Sequence, residues 1–121
     1  MSSPVPVPIE THALAVLPVR PASHPGEHLR DALDARGLTA YRLALACRVK
    51  PSRIDDVLKG RRSITADTAL RIARALGTSA EFWMRLQADY DLFTARAALA
   101  AVPGDELALC TVLPAPTPSA G

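Results

Sequence analysis

At 121 residues, 49% of them apolar, the chain has room for one domain with a compact helical core. Fourteen Lys and Arg against twelve Asp and Glu leave a net charge of +2, which by itself points to no polyanionic partner. One Trp, two Tyr and two Phe are too few for a protein that stacks unpaired bases on aromatic rings, and two cysteines are too few for a disulfide scaffold.

In chain order, residues 1–22 are rich in Pro, Val and Ala without a helical period and are expected to form a flexible tail. Ala13 to Leu17 also suits a short strand that pairs with a partner's sheet edge, although composition favours a plain disordered extension. The first twenty residues lack the early Lys or Arg of a signal peptide, and Pro4, Pro6, Pro8 and Pro18 break any apolar run before it spans a bilayer. The expected location is cytoplasmic, with no membrane partner and both cysteines reduced.

The first predicted helix runs from Pro25 to Arg36, packs through Leu29 and Leu33, and places Glu27 favourably against the helix dipole. Thr39 then offers a cap for a second helix ending at Cys47, with Leu43, Ala44 and Cys47 turned inward. Arg48-Val49-Lys50 leaves room only for a tight turn before Pro51 opens a third helix at a first-turn position. That helix ends at Leu58 and Gly60; its apolar stripe is Ile54, Val57 and Leu58, which leaves Ser52, Arg53, Asp55, Asp56 and Lys59 outward. A fourth helix, Thr65 to Leu76, is expected to bury Ala69, Leu70, Ile72, Ala73 and Leu76 and to leave Arg71 and Arg74 solvated. The fifth, Ser79 to Ala101, carries Phe82, Trp83, Leu86, Tyr90 and Phe93 at helical spacing, more apolar face than so small a domain can cover. Trp83, Leu86, Tyr90 and Phe93 are therefore assigned to a dimer or partner interface, with intramolecular packing the alternative for Trp83. Residues 102–121, with four prolines from Pro103 onward, read as a second flexible tail, in which Leu107 to Leu113 is a further candidate strand.

The cations from Arg42 to Arg62 are Arg42, Arg48, Lys50, Arg53, Lys59, Arg61 and Arg62, opposed only by Asp55 and Asp56. Charge on a short helix is ordinarily a solvated face. Two short helices joined by a tight turn favour a different reading, a helix-turn-helix that lays its second helix in the major groove of double-stranded DNA. On that reading Ser52, Arg53 and Asp56 stand near base edges, and Tyr41, Arg42, Lys50, Lys59, Arg61 and Arg62 grip phosphates. Asp56 can accept from cytosine N4, while Asp55 offsets the neighbouring arginines. Reading of this kind calls for two copies about one helical turn apart on a palindromic operator, hence a homodimer.

Catalysis has little support. His24 and His28 flank Glu27, but a zinc site needs three or four ligands, no HExxH pattern is present, and His24 precedes the helix. No nucleophile elbow or glycine-rich phosphate loop is found. No enzyme activity, metal or cofactor is expected.

The run Arg53-Ile54-Asp55-Asp56-Val57-Leu58-Lys59-Gly60-Arg61-Arg62, its continuation from Ile64 to Ser79, the stretch Glu81 to Leu92 and the opening His24-Pro25-Gly26-Glu27 together resemble the HigA-type (VapI-type) antitoxins of the XRE-like helix-turn-helix superfamily. The resemblance covers about residues 23–97. It implies an all-α, five-helix lambda-repressor-like helix-turn-helix domain over residues 23–101, with a dimerising last helix. It further implies an antitoxin that binds a RelE-like (HigB-type) mRNA-cleaving toxin and, as a homodimer, represses its own operon. One departure stands out: Arg48 occupies the turn where the family usually has Gly, which implies either a strained left-handed backbone or an added phosphate contact. Two other functions remain open, a stand-alone XRE-family regulator that has lost its toxin, and an interaction protein in which Asp55 and Asp56 keep DNA away.

Overall fold

Side-chain caps set where most of the helices begin. The structure, a computed structural model, describes residues 22–116 and contains five helices: α1 (Pro25–Arg36), α2 (Ala40–Cys47), α3 (Pro51–Leu58), α4 (Ala66–Leu76) and α5 (Ala80–Ala101). Thr39, Thr65 and Ser79 each accept from the amide three residues on, at 3.1, 3.3 and 3.0 Å. They are therefore the caps of α2, α4 and α5 and not their first helical residues. α1 is capped less usually, by His24, whose Nδ1 accepts from the Gly26 amide at 2.9 Å while Pro25 fills the first helical position. Among the described residues there is no strand. Leu107 to Cys110, part of one candidate strand, is instead wound into turns, with the Leu109 amide donating to Asp105 O and the Cys110 amide to Leu107 O. The other candidate strand, Ala13 to Leu17, and the tail assigned to residues 1–22 lie outside the described residues except for Ala22.

The core gathers one stripe from each helix: Leu29 and Leu33, Leu43, Ala44 and Cys47, Ile54, Val57 and Leu58, Ala69, Ile72, Ala73 and Leu76, then Trp83, with Ile64 contributed by the α3–α4 loop. α1 crosses α3 so closely that a Cβ on Gly26 would collide with the Val57 carbonyl oxygen, so glycine is required there for packing. Gln87, buried on α5, accepts the Ile64 amide at 2.7 Å and donates to Asp91 at 2.9 Å, pinning the loop that leaves α3.

Three expectations need correction. Leu70 is 63% exposed and Thr68 is buried in its stead, because Leu70 lies about half a turn round α4 from both Thr68 and Ile72. Arg71 is not simply solvated; it pairs with Asp67 and donates to the Cys47 carbonyl oxygen at 2.8 Å. Trp83 is 1% exposed, and its indole N–H donates to Thr78 Oγ1 at 2.8 Å. The ring is core, which removes Trp83 from any partner surface.

Candidate nucleic-acid interface

The turn between α2 and α3 is built on a conformation that arginine adopts at a cost. Arg48 has φ 60° and ψ 44°, with its amide donating to Leu45 O and the Val49 amide to Ala44 O. This is the left-handed helix ending that glycine usually supplies, and a side chain there costs on the order of 1 kcal/mol. Arg48 itself is exposed, so strain in the backbone and a free cation at the turn coexist.

Among the described residues, α3 is the only helix whose cap residue makes no side-chain bond: Lys50 leaves that position open and Pro51 follows at the first helical position. Ser52, exposed in the first turn, stands at the positive end of a helix with no side-chain cap, an arrangement suited to a phosphate oxygen. Beside it lies a cleft of 380 Å³ lined by Arg48, Val49, Lys50, Ser52, Arg53 and Arg62. Among the described residues, four cations that are scattered over fifteen positions of sequence thus share one concavity.

The structure sorts the residues assigned to DNA into groups. Lys50, Ser52, Arg53 and Arg62 come together, joined by Arg48. Tyr41 and Arg42 stand exposed in the first turn of α2, outside the cleft. Lys59 is paired with Asp55 at 2.8 Å, an i, i+4 bridge whose hydrogen bond holds the Asp55 carboxyl below its usual range. Asp56 is half-buried, 4.0 Å from Arg61 Nη1 and 3.9 Å from Arg62 Nη2. Its carboxylate is thus within ion-pair range of both arginines but beyond hydrogen-bonding distance.

Sequence reasoning missed one acid. Asp67 Oδ2 accepts from both Arg71 Nε and Arg53 Nη1, each at 2.9 Å, and these bonds, that of Arg71 first, hold its carboxyl below the usual range. The i, i+4 spacing of Asp67 and Arg71 is legible in sequence; the approach of Arg53 from another helix is not. Behind the turn, burial pushes the Cys47 thiol up, opposed by the Arg71 charge.

On α5, Leu86 is partly buried against the core and Phe93 is half-buried, while Tyr90 meets the His24 ring edge-on at 5.0 Å. The apolar groups that point outward are Phe82, Met84 and Leu92, at 46, 37 and 49% exposure. No helix of the described residues is long and apolar enough to cross a membrane.

A helix-turn-helix family model matches residues 29–83, from the middle of α1 to the start of α5. Over 73 residues the chain is 51% identical to virulence-associated protein I of Dichelobacter nodosus, covering 60% of this chain and 68% of that protein. It is 36% identical over 72 residues to antitoxin HigA-1 of Vibrio cholerae, covering 59% and 68%. Among solved structures it is similar to the Pseudomonas aeruginosa antitoxin HigA with the higBA promoter, at 45% identity and a TM-score of 0.62 over 65% of this chain and 86% of that one.

Proposed function

This chain belongs to the HigA-type (VapI-type) family of XRE-like helix-turn-helix antitoxins, a DNA-binding and non-enzymatic family, and from that premise we propose that it represses its own operon as a homodimer and neutralises a RelE-like (HigB-type) mRNA-cleaving toxin. The observation that carries the DNA half of this reading is the cationic cleft at the uncapped start of α3. With α3 in the major groove, Ser52 and Arg53 reach base edges, and the fork of Arg53 matches guanine O6 and N7. Arg48, Lys50 and Arg62 take phosphates beside it, Tyr41 and Arg42 take them from α2, and Lys59 and Arg61 take them at the far end. Lys59 exchanges its exposed carboxylate partner Asp55 for phosphate, which costs little because surface pairs contribute little. Asp56 keeps Arg61 and Arg62 aligned. A relative solved with its promoter supports the same docking for this chain.

Dimerisation is assigned to the outer face of α5, where Leu86, Tyr90 and Phe93 border the exposed Phe82 and Leu92. Two copies bring two reading helices to one palindrome, an affinity that a single module of this size does not reach. The cytoplasm, where operon and toxin meet, is the compartment this reading requires.

The toxin half is tested by expressing the neighbouring small open reading frame with and without this chain. Growth arrest relieved by co-expression is expected; no arrest in either case leaves the stand-alone regulator. The DNA half is tested by titrating the promoter. Replacing Arg61 and Arg62 with Ala should weaken binding to all sequences alike and flatten its salt dependence. A change confined to one operator base pair would instead make them readers of sequence.

A further inference from the structure

Asp67 stands in the first turn of α4, outside the helix pair that addresses DNA, yet one of its oxygens serves both elements. Oδ2 accepts from Arg53 on α3 and from Arg71 on its own helix, each at 2.9 Å. Arg71 continues the relay, donating through Nη1 to Cys47 O at 2.8 Å and Arg48 O at 3.4 Å. Those carbonyls close α2 and form the left-handed turn, where helical donors have run out. The contacts therefore run without a break from the reading helix, through α4, to the turn that sets its angle.

An isolated surface ion pair would carry no weight, since most contribute almost nothing. This carboxylate differs in being held. Arg71 fixes it from the α4 side and is itself anchored on backbone oxygens, so Asp67 offers Arg53 a stationary acceptor. An arginine reaching toward a base must give up the rotamers of a long side chain, and one already braced has less to give up. The guanidinium carries five N–H groups and Asp67 takes one at Nη1, which leaves the others for the two acceptors of a guanine. The braced group also lies at the cleft shared with Lys50, Ser52 and Arg62, on the side where DNA docks.

We propose that Asp67 is a positioning residue for sequence reading: its carboxylate holds the Arg53 guanidinium ready for a guanine and, through Arg71, couples that guanidinium to the α2–α3 turn. The proposal rests on the repressor reading above and adds to it a residue that touches no base.

The test uses the full chain, a labelled fragment of its own promoter and a panel of single-base-pair variants, with binding read by fluorescence anisotropy at one salt concentration and each protein checked by thermal unfolding. Asp67→Ala should lose discrimination by about tenfold at one base pair, the same one at which Arg53→Ala loses it. Affinity for unrelated DNA should hold or rise, because an anion has been removed near phosphates. In the Arg53→Ala background, Asp67→Ala should change nothing further. A loss spread evenly over all base pairs, or one that persists without Arg53, would make Asp67 ordinary scaffold and overturn the proposal. Should Asp67→Ala fail to fold, Asp67→Asn decides the matter, since it keeps size and one acceptor oxygen while losing the charge that holds two guanidiniums. Wild-type protein that prefers no base pair would sink the repressor reading and this proposal together; a wild-type preference left intact by the variants sinks this proposal alone.

Discussion

α3 and the distal half of α5 are equally regular helices held by opposite means. α3 has eight residues, begins without a side-chain cap and includes Pro51, Ser52, Asp55 and Asp56, a composition that would not stay helical alone at a length well under about 12 residues. It is held by tertiary burial, with Ile54 and Val57 fully enclosed and Leu58 nearly so. Beyond Gln87, α5 has no fully buried residue, yet it continues through Ala88, Ala95, Ala97, Ala98, Ala100 and Ala101 on propensity. The platform that would present side chains to DNA is rigid because it is packed. The segment proposed for a partner is helical because of its own residues, and its outer face is covered by nothing among the described residues.

Substitutions on the two sides should separate these mechanisms. The largest effect is expected from Ile54→Ala, which empties a fully buried site under the reading helix and should cost about 3 kcal/mol in denaturant unfolding. A loss below about 1 kcal/mol would mean that α3 is not held by its apolar stripe. Gly26→Ala comes next: the new methyl meets the Val57 carbonyl and must push α1 from α3, for a loss of about 2 kcal/mol in the same measurement. On exposed Ala95 of α5, a change to Gly should cost about 1 kcal/mol of helix propensity and lower amide protection only in the last turns. Equal loss of protection in α3 would show that the two regions unfold as one.

Arg48→Gly gives a smaller effect, and one of two signs. Relief of the left-handed backbone should stabilise the fold by up to about 1 kcal/mol, while loss of a cation should weaken DNA binding and lower the steepness of its salt dependence by about one counterion. Stabilisation without weaker binding would place Arg48 outside the phosphate contacts. The smallest effect is that of acid. Asp55 and Asp67 have folded values below their ordinary ones, so the stability they contribute is present above the unfolded value of about 3.9 and fades as pH falls through the folded values. Both are well exposed, so a shallow decline confined to the acid side is expected from unfolding midpoints followed with pH.

Much of the fold was legible along the chain. The breaks at Gly37, Gly60 and Gly77 and the cap at Thr39 are local devices, and the expected helix boundaries differ from the observed ones only in counting Thr39, Thr65 and Ser79 as helix. The misreadings arose where a residue's neighbours come from elsewhere. Leu70 looked buried because it is apolar, and its angle about α4 turns it outward. Trp83 looked available because α5 carries more apolar surface than one core needs, and it was Trp83 that the core took, leaving Phe82 beside it half exposed.

Capping, backbone freedom and local charge act over a few residues, so the starts and stops of the helices, the tight turn from α2 to α3 and the crowding of cations around it can be read along the chain. Which cations share a cleft, which acid braces Arg53 and which aromatic is enclosed emerge with the packing. Those depend on how the helices are set against one another, and Arg53 and Asp67, fourteen residues apart, meet only once α3 and α4 are packed on the same core.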